Sequence, residues 1–246
     1  PHGIDLNQRS DGRYQLAVVN HMPRETIEMF ELINLHNSWS LVWRGCVDAP
    51  ELGYFNDVAL KGDGSFFTTH MYERGLSLLS LLYISFTKPD TGFVYQWDAG
   101  DGFTKVPNSG GSFPNGISIS DDEKNLFINY VFNHRTSKLN LENLNVEAEH
   151  FSKGTPDNSS INGDYIWVAT QDNTGIDLLI HCDETVVQCS LPFTIFKLRQ
   201  SDLSEVAAFS FSQTQMGSVT VAVTHKDKVW LGTFHGDRMA SFDNAN

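Results

Sequence analysis

One unit recurs five times along this chain and constrains its fold more than any other feature. Each copy opens on a small or polar pair and runs into an apolar alternation: HGID at 2–5, NDVAL at 56–60, NGISIS at 115–120, DNSSI at 157–161 and GSVTVAV at 217–223. A short turn follows (SDG, KGDG, SDDEKN, NGD or HKDK), then a second apolar stretch, YQLAVV, SFFTT, NLFINYV, YIWVAT or VWLGTF. Further on a third strand is legible as TIEMFELI, GFVYQWD, TSKLNL, FTIFKLR or RMASFD. Alternation with period two marks strands, whereas helical periodicity is sustained nowhere. Residues 71–92 carry no readable register. Copies start roughly 40–60 residues apart, the spacing of propeller blades. Repeated hairpins of this kind predict an all-β chain folded as a β-propeller, whose radial closure leaves few exposed edges. A two-sheet sandwich would not carry the repeated motif.

Propeller geometry gives the polar pairs a meaning. In an antiparallel hairpin, the start of the first strand and the end of the second lie at the same end. The residues opening each innermost strand therefore share one mouth of the central channel with those closing the next strand. The first set is His2, Asn56 with Asp57, Asn115, Asp157 with Asn158, and Ser218; the second is His21, His70, Asn129, Gln171 with Asp172, and His235. A single Asn or Asp before a strand most often caps a turn. Three successive units with Asn-Asp, Asn-Gly or Asp-Asn at the same repeat position argue instead for a shared site.

Asn56, Asn115, Asp157 and Asn158 offer side-chain oxygens and no sulfur. Hard oxygen donors select Ca²⁺ or Mg²⁺, and amide carbonyls drawn from several blades suit the larger, more flexible calcium shell. His2 and His21, each alone, would read as hydrogen-bonded structure. As a pair opening and closing one hairpin they come within hydrogen-bond reach, where one imidazole polarises water while the other orients it and receives the proton. His70 and His235 are expected to line the pocket wall. KGDGS and AGDGF lack the ligand spacing and terminal Glu of an EF-hand, and neither a G-x-S-x-G elbow nor a P-loop is present. The one glycosylation sequon, Asn158-Ser159-Ser160, overlaps the proposed ligands.

Composition enters by exclusion. A formal charge of −13 with only 17 Lys and Arg argues against a nucleic-acid partner. The longest apolar run, LSLLSLLYISF at 76–86, is about eleven residues, short of the roughly 18 a membrane helix needs. Cys182 and Cys189 read either as a loop-tip disulfide or as two free thiols, and Cys46 as a lone buried hydrophobe; their spacing matches no zinc pattern.

PHGI, LAVVNHM, FNDVAL, FPNGISIS, PDN and GSVTVAV followed by VWLGTFHGDR resemble, in order and over essentially the whole chain, the paraoxonase and arylesterase branch of the senescence-marker/gluconolactonase superfamily. TTHMYERG and CSLPF look like its bacterial members. The resemblance implies a six-bladed calcium propeller, of which five blades are readable here, that hydrolyses small-molecule lactones or aryl esters. It implies a catalytic dyad at His2 and His21 and a catalytic calcium held by Asn56, Asn115, Asp157 and Asn158. A second, structural calcium would be held by Asp57 and the backbone carbonyl of Ile4. The family also draws a Glu-Asp pair from a blade upstream of PHGI, and this sequence has no counterpart. The expectation is therefore one propeller domain over 1–246 that lacks its N-terminal blade, with strand edges left exposed. Two other functional readings stay open: a gluconolactonase-type sugar-lactone hydrolase, and a propeller used only as a binding module.

Overall fold

In the computed structural model, which describes residues 2–174, 177, 180–182 and 186–244, the chain forms a β-propeller of five blades. Blade 1 is β1 (Ile4–Gln8), β2 (Tyr14–Asn20), β3 (Thr26–Leu35) and β4 (Ser38–Asp48). Blade 2 is β5 (Phe55–Leu60), β6 (Phe66–His70), β7 (Phe93–Asp98) and β8 (Gly102–Lys105). Blade 3 is β9 (Pro114–Ile119), β10 (Asn125–Tyr130), β11 (Arg135–Asn140) and β12 (Val146–Phe151). Blade 4 is β13 (Thr155–Asn162), β14 (Tyr165–Gln171), β15 (Phe193–Arg199) and β16 (Glu205–Phe211), and blade 5 is β17 (Val219–His225), β18 (Lys228–Thr233) and β19 (Ala240–Asp243). Every sheet is an antiparallel meander in chain order. The three strands anticipated in each unit are all present. The fourth strands, β4, β8, β12 and β16, were not legible, because as outer strands they alternate weakly and expose much of both faces.

The blades pack face to face, with a separate apolar cluster in each gap. Ala17, Val19 and Ile27 of blade 1 meet Phe55, Val58, Leu60 and Phe66 of blade 2. Ala59, Phe67 and Val94 meet Ile117, Leu126, Ile128 and Leu139 across the next gap. Phe127 meets Ile166, Val168 and Leu198, and Trp167, Ala169, Phe193 and Ile195 meet Val219, Ala222, Val229 and Leu231. Around the axis, polar side chains latch each inner strand to the next. Asp5 accepts the Leu60 N–H, Asp57 accepts the Ile117 N–H, Asn158 donates to the Thr220 carbonyl and Ser160 to that of Ala222.

The described residues form five blades, as the repeat predicts, and no sixth, against the six that the resemblance implies. Blade 1 instead leaves its outer face uncovered, with Ile4, Leu6, Trp39, Leu41 and Trp43 each more than half exposed. Sequence also missed the helix α1 (Leu78–Thr87), inside the stretch without readable register. Ser77 caps it by accepting the Ser80 N–H, and Lys88 ends it in the left-handed conformation at φ 51°. Leu and Ile on nearly every side hide the helical period, and Leu79, Leu82, Tyr83 and Phe86 form an exposed stripe. Among the described residues no helix is long and apolar enough to cross a membrane. Cys182 and Cys189 are bridged. Cys46 is half-buried rather than in the core, with the Arg24 guanidinium 3.6 Å from its sulfur.

Candidate active site

The mouth expected from the hairpin rule exists. Phe55 pairs with His70, Pro114 with Tyr130, Thr155 with Gln171 and Val219 with Thr233, so inner-strand starts and second-strand ends stand opposite one another. In blades 2 to 5 the register slips at this end of the hairpin: between Phe55 and Val58, at Pro114–Ile117, between Pro156 and Ser159, and between Val219 and Val221. A bulge re-aims the side chains it carries. These bulges hold Asn56 and Asp57, Asn115, and Asp157 and Asn158, which no periodicity argument could have located.

Close approach at the axis demands glycine at two of these corners. A Cβ on Gly116 would lie 2.4 Å from the Asp157 carbonyl oxygen, and one on Gly3 would lie 2.3 Å from an Asp57 carboxylate oxygen. The HGI and NGI motifs are thus packing requirements as well as site markers.

Asn115 and Asn158 are the informative members of the oxygen set. The Oδ1 atom of each is buried and has no hydrogen-bond partner. An orphaned buried carbonyl costs roughly 1–3 kcal/mol unless something else pairs it. Asp157 stands beside them, accepting Gln171 Nε2 at 2.7 Å and Asn158 Nδ2 at 3.1 Å. Burial drives its pKa up to about 7, against the opposing hydrogen bonds from Gln171 and Asn115. Two orphaned neutral oxygens beside a buried carboxyl match the donor chemistry of a hard cation such as calcium. Asn56 is buried too, its amide nitrogen 3.1 Å from the Met71 sulfur and 3.5 Å from His2 Nε2. Among the described residues no group of three or more His, Cys, Asp or Glu is arranged to hold a metal, and the oxygen set here is mostly amide.

Asp57 differs. One carboxylate oxygen accepts the Val58 N–H and the other the Ile117 N–H, at 2.9 and 3.0 Å. Burial lifts its pKa to about 7, with smaller contributions from Asp5 and Asp157. Ile4 lies opposite Val18 in the β1–β2 ladder. Both oxygens of Asp57 are thus already paired.

His2 and His21 are brought together, with Nδ1 of His2 2.8 Å from Nε2 of His21. The His2 amide donates to Val19 and the Gly3 amide to Asn56, so the backbone itself clamps the dyad's first member between blades 1 and 2. Packing around its inner side, then the neighbouring His21, lower the His2 pKa to about 4, which keeps the ring a neutral base. Tyr54 stacks on His21 with centroids 4.6 Å apart. Beneath the dyad lies Glu25, which sequence reading did not single out. Its carboxylate meets His21 Nδ1 at 2.9 and 3.0 Å and accepts the Phe55 N–H and an Arg74 guanidinium N–H, both at 2.7 Å. A carboxylate four residues beyond a candidate catalytic histidine was the available signal.

His70 and His235 lie at the mouth end of their strands but are otherwise occupied. His70, 5% exposed, accepts the Tyr54 N–H through Nδ1 and packs on Phe93 and Tyr95. His235 is half-buried, with Nε2 at the Val186 carbonyl. Two cavities of about 300 and 330 Å³ lie elsewhere, the first lined by Lys61, Phe67 and Leu144, the second by Phe193, Phe211 and Phe242. None of the mouth residues named above lines either one.

The chain is 28% identical over 250 residues to human serum paraoxonase/arylesterase 2, covering 96% of this chain and 66% of that protein. It is 25% identical over 260 residues to mouse serum paraoxonase/arylesterase 1, again covering 96% of this chain and 66% of the relative. Against the chicken paraoxonase/arylesterase 2 the match is 28% over 137 residues, or 37% of that protein's length. The chain thus spans less than two thirds of the curated relatives it matches. A gluconolactonase from Xanthomonas campestris shares the fold at TM-score 0.55 and 12% identity, covering 93% of this chain and 68% of that one. A luciferin-regenerating enzyme does so at TM-score 0.54 and 15% identity, covering 94% and 70%. The model of the arylesterase family matches residues 1–238, and this chain belongs to that family.

Proposed function

We propose that the protein hydrolyses small-molecule lactones or aryl esters at the propeller mouth and depends on calcium to do so. One observation carries the reading: the orphaned oxygens of Asn115 and Asn158 stand on inner strands at the same mouth as a joined pair of histidines. Family membership supports the ester or lactone class. Asn56, Asn115, Asp157 and Asn158 would hold the ion. When bound, calcium supplies polarisation of the substrate carbonyl and positive charge for the developing oxyanion. A second ion at Asp57 and the Ile4 carbonyl belongs to the same reading, supported by the resemblance alone, since both Asp57 oxygens already accept backbone N–H groups.

The chain's own residues supply the proton chemistry. His2, held beside Asn56 and kept neutral by its surroundings, takes a proton from the attacking water. His21 orients His2 through the 2.8 Å contact and shares the charge that forms. The resulting hydroxide attacks the acyl carbon. The alkoxide or aryl oxide leaves and takes the proton back, so the products are one acid and one alcohol, or a hydroxy acid from a lactone. His70 is spoken for by Tyr54 and acts as wall, not as base.

The test is His2→Gln and His21→Gln, assayed on phenyl acetate and on a δ-lactone with saturating calcium. Each variant is expected to lose roughly 100-fold or more in kcat while binding calcium as the wild type does. Asn115→Ala serves as the converse control, weakening calcium binding directly. Equal turnover in wild type and both histidine variants removes the dyad from the mechanism.

A further inference from the structure

We propose that Glu25 is a positioning residue that fixes the hydrogens of the histidine pair, so that its basic nitrogen faces the cation site. This rests on the dyad reading above and adds a third member to it.

Glu25 is held where it can do this. Its side chain is 3% exposed. Three donors converge on it from three segments: His21 on the β2–β3 turn, the Phe55 amide at the start of β5, and Arg74 in the β6–β7 connection. The Arg74 amide is itself bonded to the Leu52 carbonyl at 3.0 Å, which anchors the guanidinium's backbone. With one oxygen on Phe55 and the other on Arg74, the carboxylate cannot swing away from His21.

A carboxylate serving three donors is an acceptor only, and that decides the rest of the chain. Nδ1 of His21 must carry its hydrogen toward Glu25. In the neutral ring, Nε2 is then bare and accepts, so Nδ1 of His2 must carry the hydrogen of the 2.8 Å contact. That leaves Nε2 of His2 bare, at 3.5 Å from the Asn56 amide nitrogen, on the side of the proposed ligands. One placement of hydrogens satisfies every contact, and it puts the lone pair where a water at the mouth would give up its proton. Without Glu25, His21 is free to carry its hydrogen on Nε2, which would face the Nδ1 hydrogen of His2 and turn the pair around. The role is orientation: Glu25 touches neither the substrate nor the proposed ion, and the group it holds is His21.

The experiment is a long-range ¹H–¹⁵N correlation on calcium-free protein labelled at histidine, with kcat and KM measured in parallel on the calcium-loaded protein. In the wild type, His21 is expected to show the Nδ1–H tautomer. In Glu25→Gln, whose amide NH₂ must face one of the three donors, the tautomer is expected to change and kcat to fall roughly 100-fold, with KM and calcium affinity unchanged. Glu25→Asp, which keeps the charge on a shorter arm, is expected to recover part of the rate and the wild-type signature. A wild-type His21 in the Nε2–H form overturns the proposal whether or not any variant folds. So does a Glu25→Gln protein with the wild-type signature and rate. If wild-type protein turns over no ester or lactone, the functional reading falls, and the tautomer measurement still decides the role of Glu25.

Discussion

His150, on β12, packs its ring 5.0 Å from Phe196 and leaves Nε2 buried without a partner. Burial lowers its pKa below 6.5, with Glu205 on the neighbouring β16 opposing the shift. The unfolded chain therefore takes up a proton near 6.5 while the folded chain resists it, so stability is full above that pH and falls as pH drops toward the folded value. His150→Phe should flatten the decline in Tm between neutral pH and about pH 5; parallel curves for the two proteins would reject the assignment. His150 also shows what one residue's letter conceals. Nothing in EAEHF distinguishes a surface histidine from a structural one. His2 and His21 were legible because their roles depend on hairpin ends, which the sequence marks. Glu25 was not, because its importance comes from Phe55 and Arg74, 30 and 49 residues away.

The inner strands carry a bulge at the same end in four blades, and the bulge is why one strand can both latch its neighbour and aim side chains at the axis. Gly116 sits inside one of them. Its missing Cβ leaves room for the Asp157 carbonyl and the Asn158 Cα, which would otherwise lie at 2.4 and 2.6 Å. Gly116→Ala should cost about 3 kcal/mol by forcing blades 3 and 4 apart, lowering Tm by about 6–12 °C in a chain of this size. Gly163→Ala, with open space but a φ of +55°, should cost only about 1 kcal/mol. A thermal scan of the two variants compares crowding with backbone strain, and equal losses would contradict the crowding account. At this scale the first three strands of each unit were readable because they bury one or both faces. The outer strands and α1 were not: the former are exposed on both sides, and the latter is apolar nearly all round.

Across the whole molecule, blade 1 is packed on one face only. Leu6, Leu16, Phe30 and Trp43 form a cross-strand row on the other, followed by Tyr14, Leu32 and Leu41. A propeller blade with an uncovered apolar face is a docking surface for whatever sheet comes to hand. The described chain is therefore expected to self-associate as concentration rises. Leu41→Lys should hold it monomeric in sedimentation; association undiminished in that variant would place the contact elsewhere. The five-unit repeat was legible because it needs only strand order and turn chemistry. The uncovered face was not, since whether a face is covered depends on which sheets stand beside it. The proposed hydrolysis, with its cation among Asn115, Asp157 and Asn158, is decided by one rate curve. Protein stripped of metal by chelator is titrated with calcium while phenyl acetate hydrolysis is followed. No rate above background is expected in the stripped protein, with a saturable rise as calcium is restored. Hydrolysis that persists undiminished in chelator, or that never appears at any calcium concentration, contradicts it.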